Sequence, residues 1–163
     1  MNSWRITKYN PVKRDADGSY LDLEEWICFS EVGTKVSMEE YQITEEKYLD
    51  AISVFITEMG LNRVYVTALE QWSDEVRNQN ANEFLSKIWI GKAVTAQEVR
   101  ELAKFTLRNA IWCKLGFKEQ FFVHFGYDYY MYIGASEGCL KAKEVVKETG
   151  LFIEDFKSPY LSN

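Results

Sequence analysis

His124 is the only histidine in the chain, so any Ser-His-Asp or Cys-His nucleophile has to be built around it. Asp128, Ser136, Cys113 and Cys139 supply partner types, but none stands in a nucleophile-elbow context. An enzyme of this kind needs a concave pocket holding His124, Asp128 and the neighbouring tyrosines. Set among Phe122, Val123 and Phe125, the imidazole reads first as a packed aromatic with one hydrogen bond. The acid pairs Glu24-Glu25, Glu39-Glu40 and Glu45-Glu46 offer carboxylates for acid–base work. A general acid needs its pKa raised by burial, whereas adjacent acids in loops and first helical turns are solvated.

Other chemistry finds less support. Asp15, Asp17, Gly18 and Glu24 fit positions of a calcium loop, but Lys13 stands where its first carboxylate belongs, and a β-turn over 15–18 is the simpler reading. Cys28, Cys113 and Cys139 have neither paired nor metal-ligand spacing and read as buried free thiols. No GxGxxG, GxxxxGK[ST] or HExxH occurs. No cofactor and no metal is expected.

The densest local signal surrounds His124. Residues 119–134 read EQFFVHFGYDYYMYIG, with seven Phe and Tyr residues in one expected β-hairpin. A three-residue loop, Gly126-Tyr127-Asp128, pairs 125 with 129 and 123 with 131. One face then holds Phe121, Val123, Phe125, Tyr129, Met131 and Ile133, wholly apolar or aromatic. The other holds Phe122, His124, Tyr130 and Tyr132. This second face is either covered by a helix over 95–115 or exposed for recognition, since tyrosine joins apolar area to a polar tip.

The elements that must position these residues alternate irregularly. Strands are expected over 4–9, within 21–32 and over 61–69, the first two pairing as a hairpin. Thr44 opens a helix with Glu45 and Glu46 in its first turn, an apolar stripe from Tyr48 to Met59, and Gly60 as its stop. The asparagines between 78 and 82 mark an exposed loop, and 84–90 fits a short helix or a strand. Thr95-Ala96-Gln97-Glu98 is a capping box for a helix to about Leu115, with Arg100, Lys104 and Arg108 along a solvated face. Ser136 can cap a third helix that stops at Gly150, before a last strand over 151–156. Hairpins as frequent as helical crossovers predict an α+β fold: one domain over 1–163, a mostly antiparallel sheet and about three helices packed on it.

Composition bounds the function. With 163 residues, 47% hydrophobic and 15% aromatic, the chain has material for one core. No run approaches a membrane span, and the N-terminal MNSWRITKYN has no apolar signal region, so a cytoplasmic location and no membrane partner are expected. The net charge of −6 is uneven: residues 1–75 carry 15 acids and 7 bases, residues 76–163 carry 10 and 12. Such an acidic half repels phosphates, which argues against nucleic acid and for a basic protein partner or plain solubility.

A small acidic chain of α+β pattern, rich in aromatics and without a catalytic set, resembles the immunity proteins that bacteria encode beside polymorphic or contact-delivered toxins. The resemblance implies a stoichiometric inhibitor that caps a toxin domain with acidic and aromatic side chains. The expected partner-binding residues are the acids Glu39, Glu40, Glu45 and Glu46 and the tyrosines Tyr127, Tyr130 and Tyr132. An enzyme or a small-ligand binder around His124, Asp128 and the hairpin is the alternative.

Overall fold

A computed structural model describes residues 1–13 and 25–161. Seven strands form one sheet: β1 (Asn2–Thr7), β2 (Val64–Gln71), β3 (Ala93–Val94), β4 (Ile111–Phe117), β5 (Phe121–Phe125), β6 (Met131–Ala135) and β7 (Phe152–Asp155). Their spatial order is β3-β2-β4-β5-β6-β1-β7, and every neighbouring pair is antiparallel. The helices are α1 (Met38–Glu58), α2 (Ser73–Asn78), α3 (Asn82–Leu85), α4 (Ala96–Leu107) and α5 (Leu140–Glu148). The α+β class with an antiparallel sheet is as expected. No helix among the described residues is long and apolar enough to cross a membrane.

The two faces of the sheet are covered differently. Trp4, Phe121, Val123, Phe125, Met131 and Ile133 point to the helical side and are buried, with Trp4 against Phe55 of α1 at 5.3 Å. Phe122, His124 and Tyr132 point to the other side and are also buried, but under residues 156–161 rather than under α4. This tail is tied down by hydrogen bonds from the Phe156 amide to the Ser3 carbonyl (3.0 Å) and from the Ser158 amide to Ser3 Oγ (3.3 Å). The aromatic face expected under a helix or in solvent is therefore covered by the chain's own C-terminal segment.

Local signals account for the helix limits. Ser37 caps α1 by accepting from the Glu40 amide at 3.1 Å, which starts the helix two turns before the expected Thr44. The S-x-x-E spacing at 37–40 is the sequence signal for that start. Gly60 ends α1 at φ 67°. The capping box at Thr95 forms with both bonds in place, at 3.1 and 3.3 Å. Asn109 then adopts φ 59°, and the amides of Asn109 and Ala110 return to the Thr106 and Phe105 carbonyls. That closure stops α4 eight residues short of the expected Leu115 and releases Ile111–Phe117 as a central strand.

Three other expectations change. The strand expected within 21–32 is absent over 25–32, where Phe29–Glu31 is a 3-10 turn; β1 instead pairs with β6 and β7. The turn and calcium pattern at 15–24 lie outside the described residues. Ser136 does not cap α5: Cys139 is the N-cap residue, and the Glu58 carboxylate accepts from the Lys141 and Ala142 amides at 3.3 and 2.6 Å. The expected hairpin register is off by two residues, since Phe125 pairs with Met131 and Val123 with Ile133 around a five-residue loop. A shift of two preserves which side chains share a face.

Candidate functional site

The loop 126–130 between β5 and β6 is held in a costly conformation. Asp128 and Tyr129 are consecutive non-glycine residues at φ 57° and 67°. Each left-handed residue of this kind costs about 1–2 kcal/mol. Three tyrosine hydroxyls restrain them, one of them Tyr129's own. Tyr9 donates to the Asp128 carbonyl at 2.6 Å, Tyr48 donates to the Tyr129 carbonyl at 2.8 Å, and Tyr129 donates to the Leu107 carbonyl at 3.2 Å. The Tyr129 ring sits in an aromatic cluster with Trp26 at 5.0 Å, Tyr48 at 6.1 Å and Tyr41 at 6.3 Å. Burial pushes the hydroxyl pKa values of Tyr9, Tyr41 and Tyr129 well above the usual phenol value, so all three stay neutral.

What this clamp presents is Tyr127, 85% exposed at the loop tip. Beside it runs a groove of about 930 Å³. Its aromatic lining includes Trp72, Trp112, Tyr127, Tyr130 and Tyr160, and its charged lining is Glu70, Asp74, Glu75 and Asp128. None of the described residues lining it is Lys, Arg or His. Trp72 is 48% exposed at the end of β2, while Trp112 is fixed by donating its indole N–H to the Phe125 carbonyl at 2.9 Å.

The structure sorts the expected site residues. Tyr127, Tyr130 and Asp128 line this groove. Tyr132 does not: it is buried on the tail-covered face against Phe156 (5.9 Å) and Tyr160 (6.0 Å). Glu39 and Glu40 are exposed in the first turn of α1 and do not line the groove. Glu45 is buried in a two-point pair with Arg108 of α4, and Glu46 is paired with Arg100 at 2.7 Å. Arg100 also meets Asp50 at 3.0 Å. The basic row expected to face solvent is thus a set of ion pairs, three of them joining α4 to α1; Lys104 pairs within α4 with Glu101. Glu70, Trp72, Asp74, Glu75 and Trp112 carried no sequence signal of their own, because they converge from β2, α2 and β4.

His124 and Asp128 are not brought into one pocket. The His124 ring is 5% exposed, stacked on Phe122 at 4.2 Å, with Nδ1 hydrogen-bonded to Ser158 Oγ at 2.7 Å. Burial and, second, the neighbouring Lys114 charge push its pKa down to about 4. It is a neutral ring pinning the tail. The Phe122 ring lies flat over Gly134, where a Cβ would come within 1.9 Å of it. Cys113 and Cys139 are buried free thiols, whereas Cys28 is half-buried. Among the described residues no group of His, Cys, Asp and Glu is arranged to hold a metal ion.

No protein-family model, no curated protein and no solved structure matches this chain.

Proposed function

We propose that the chain is a non-enzymatic protein-binding domain that neutralises a partner protein, in the manner of the immunity proteins of toxin–immunity pairs. The single observation that carries this reading is the loop 126–130. Two strained residues are clamped by buried tyrosine hydroxyls so that Tyr127 projects at the rim of an acidic, aromatic groove. Strain held in place by its surroundings is characteristic of ligand clamps and recognition sites. Exposed aromatic anchors on a rigid support are what interface hot spots are made of. The docking set is Tyr127, Tyr130, Asp128 and Trp72. Glu45 and Tyr132 are excluded from it by burial. The carboxylates lining the groove repel phosphate, so the partner is a protein rather than a nucleic acid. The reading places the protein in the bacterial cytoplasm.

The groove volume also lies within the range of small-molecule sites, which favours a ligand binder as the second reading. Capture of a partner by tagged protein from host lysate separates the two. Wild type should retain one protein at a one-to-one ratio and relieve its toxicity on co-expression. Tyr127→Ala should lose at least tenfold in affinity with an unchanged Tm. Equal retention by the variant, or a co-purifying small molecule in place of a protein, overturns the proposal.

A further inference from the structure

We infer that the groove receives an arginine side chain from an extended basic segment of the partner. Glu70 and Asp128 act as its counter-charges, and Trp72 and Tyr127 as its ring faces. This deepens, and rests on, the protein-binding reading above.

The acids come from three separate places: Glu70 at the end of β2, Asp74 and Glu75 in the first turn of α2, and Asp128 in the strained loop. Two of them are already engaged, Asp74 by Arg77 at 2.6 Å and Glu75 by the Gln79 side chain at 3.3 Å. Glu70 and Asp128 have no ion-pair partner among the described residues. The groove therefore carries three carboxylates without a counter-charge, of which Glu70 and Asp128 are also not held by a side chain of this protein, in a concave, partly apolar setting, where an incoming cation is attracted more strongly than at an open surface.

The rings select the form of that cation. Elsewhere this protein seats its own cations on aromatic faces: Lys8 lies 4.0 Å from the Trp26 ring centre and Arg5 lies 4.1 Å from that of Phe156. Trp72 and Tyr127 are aromatic faces of the same kind with no such cation among the described residues. A planar guanidinium can stack on an indole and still bond a carboxylate through its edge, which a compact ammonium cannot do equally well. Recognition through side chains in an open groove suits an extended segment better than a flat folded surface.

The test uses the full chain labelled with nitrogen-15 and a hexa-arginine peptide at low salt, with hexa-lysine and hexa-glutamate as comparisons. The Trp72 indole resonance and the amides of 70–75 and 126–128 should shift, with hexa-arginine tighter than hexa-lysine. The pair Glu70→Gln/Asp128→Asn should weaken binding at least tenfold. Glu39→Gln/Glu40→Gln, which makes the same charge change away from the groove, should stay within twofold. Equal loss in both double variants, shifts spread over α1, or comparable binding of hexa-glutamate overturns the inference. If the captured partner binds Glu70→Gln/Asp128→Asn as well as wild type, the inhibitor reading stands and this occupant is wrong. If hexa-arginine seats as described and no partner is found, the reverse holds.

Discussion

Glu45 of α1 holds Arg108 at the C-terminal end of α4 at two points, Oε2 at 2.7 Å from Nε and Oε1 at 2.9 Å from Nη2. The carboxylate side chain is 4% exposed, so neither partner can lose the other without leaving a charge poorly solvated. Arg108 also lies 5.7 Å from the Tyr41 and Phe29 ring centres, which ties the pair to the aromatic cluster beneath the loop 126–130. Glu45→Gln and Arg108→Met should each destabilise by about 3 kcal/mol in denaturant titration. Glu45→Leu with Arg108→Met should recover most of that loss. Additive losses would mean the pair does not act as a unit.

Two buried tyrosines on α1 should behave oppositely. The Tyr41 hydroxyl is buried beside Glu45 and Tyr129 and makes no hydrogen bond of good geometry among the described residues. Tyr48 accepts from the Lys8 amide at 2.8 Å and donates to the Tyr129 carbonyl at 2.8 Å. Tyr41→Phe should therefore be neutral or slightly stabilising. Tyr48→Phe should cost about 1–3 kcal/mol, because it takes the hydroxyl from the buried Tyr129 carbonyl and from the part-buried Lys8 amide. Tyr48→Phe should also speed hydrogen exchange in the loop 126–130, and unchanged exchange there would remove the clamp from the account.

Gly134 exists for Phe122. A methyl group at 134 would collide with the Phe122 ring at 1.9 Å from Cε2, so Gly134→Ala forces the ring off its site over β6 and away from its stack on His124. The expected cost is about 1–3 kcal/mol. Phe122→Leu should relieve part of it, read as a positive coupling in a double-mutant thermal-denaturation cycle.

The tail latch should be sensitive to acid. The His124 pKa of about 4 lies below the ordinary value of 6.5, so between those values the unfolded chain binds the proton and the folded chain does not. This contribution is present in full above pH 6.5 and is lost as pH falls toward 4, with an upper limit of about 3 kcal/mol. In Tm measurements from pH 7 to 4, wild type should fall more steeply than His124→Gln. Parallel curves would show that His124 titrates normally and is not sealed under Ser158 and Tyr160.

Features written in a few adjacent residues were legible from the sequence. The Thr95–Glu98 box and the glycines at 60 and 150 act through bonds within one turn or through a backbone angle that only the local residue sets. The separation of Phe121, Val123 and Phe125 from Phe122 and His124 follows from the two-residue period of a strand, which survived an error of two in the register. The S-x-x-E at 37–40 and the Asn109 stop were equally local, and they moved two helix limits from where the apolar stripes alone would set them.

The rest was decided by contacts between distant residues. β1 chose β6 and β7, more than a hundred residues away, over the nearer segment at 25–32, because pairing depends on which edges the whole sheet leaves open. The aromatic face of the hairpin was sealed by the tail through Ser3 and Ser158, a match of shapes that no window of sequence contains. The acidic first half and basic second half, unequal along the chain, partly neutralise each other where α4 lies against α1 through Glu45, Glu46 and Asp50. Charge along a chain does not give charge in space. Glu70 and Asp128 are among the acids without an ion pair in the described residues, and only the folded arrangement brings them to one groove.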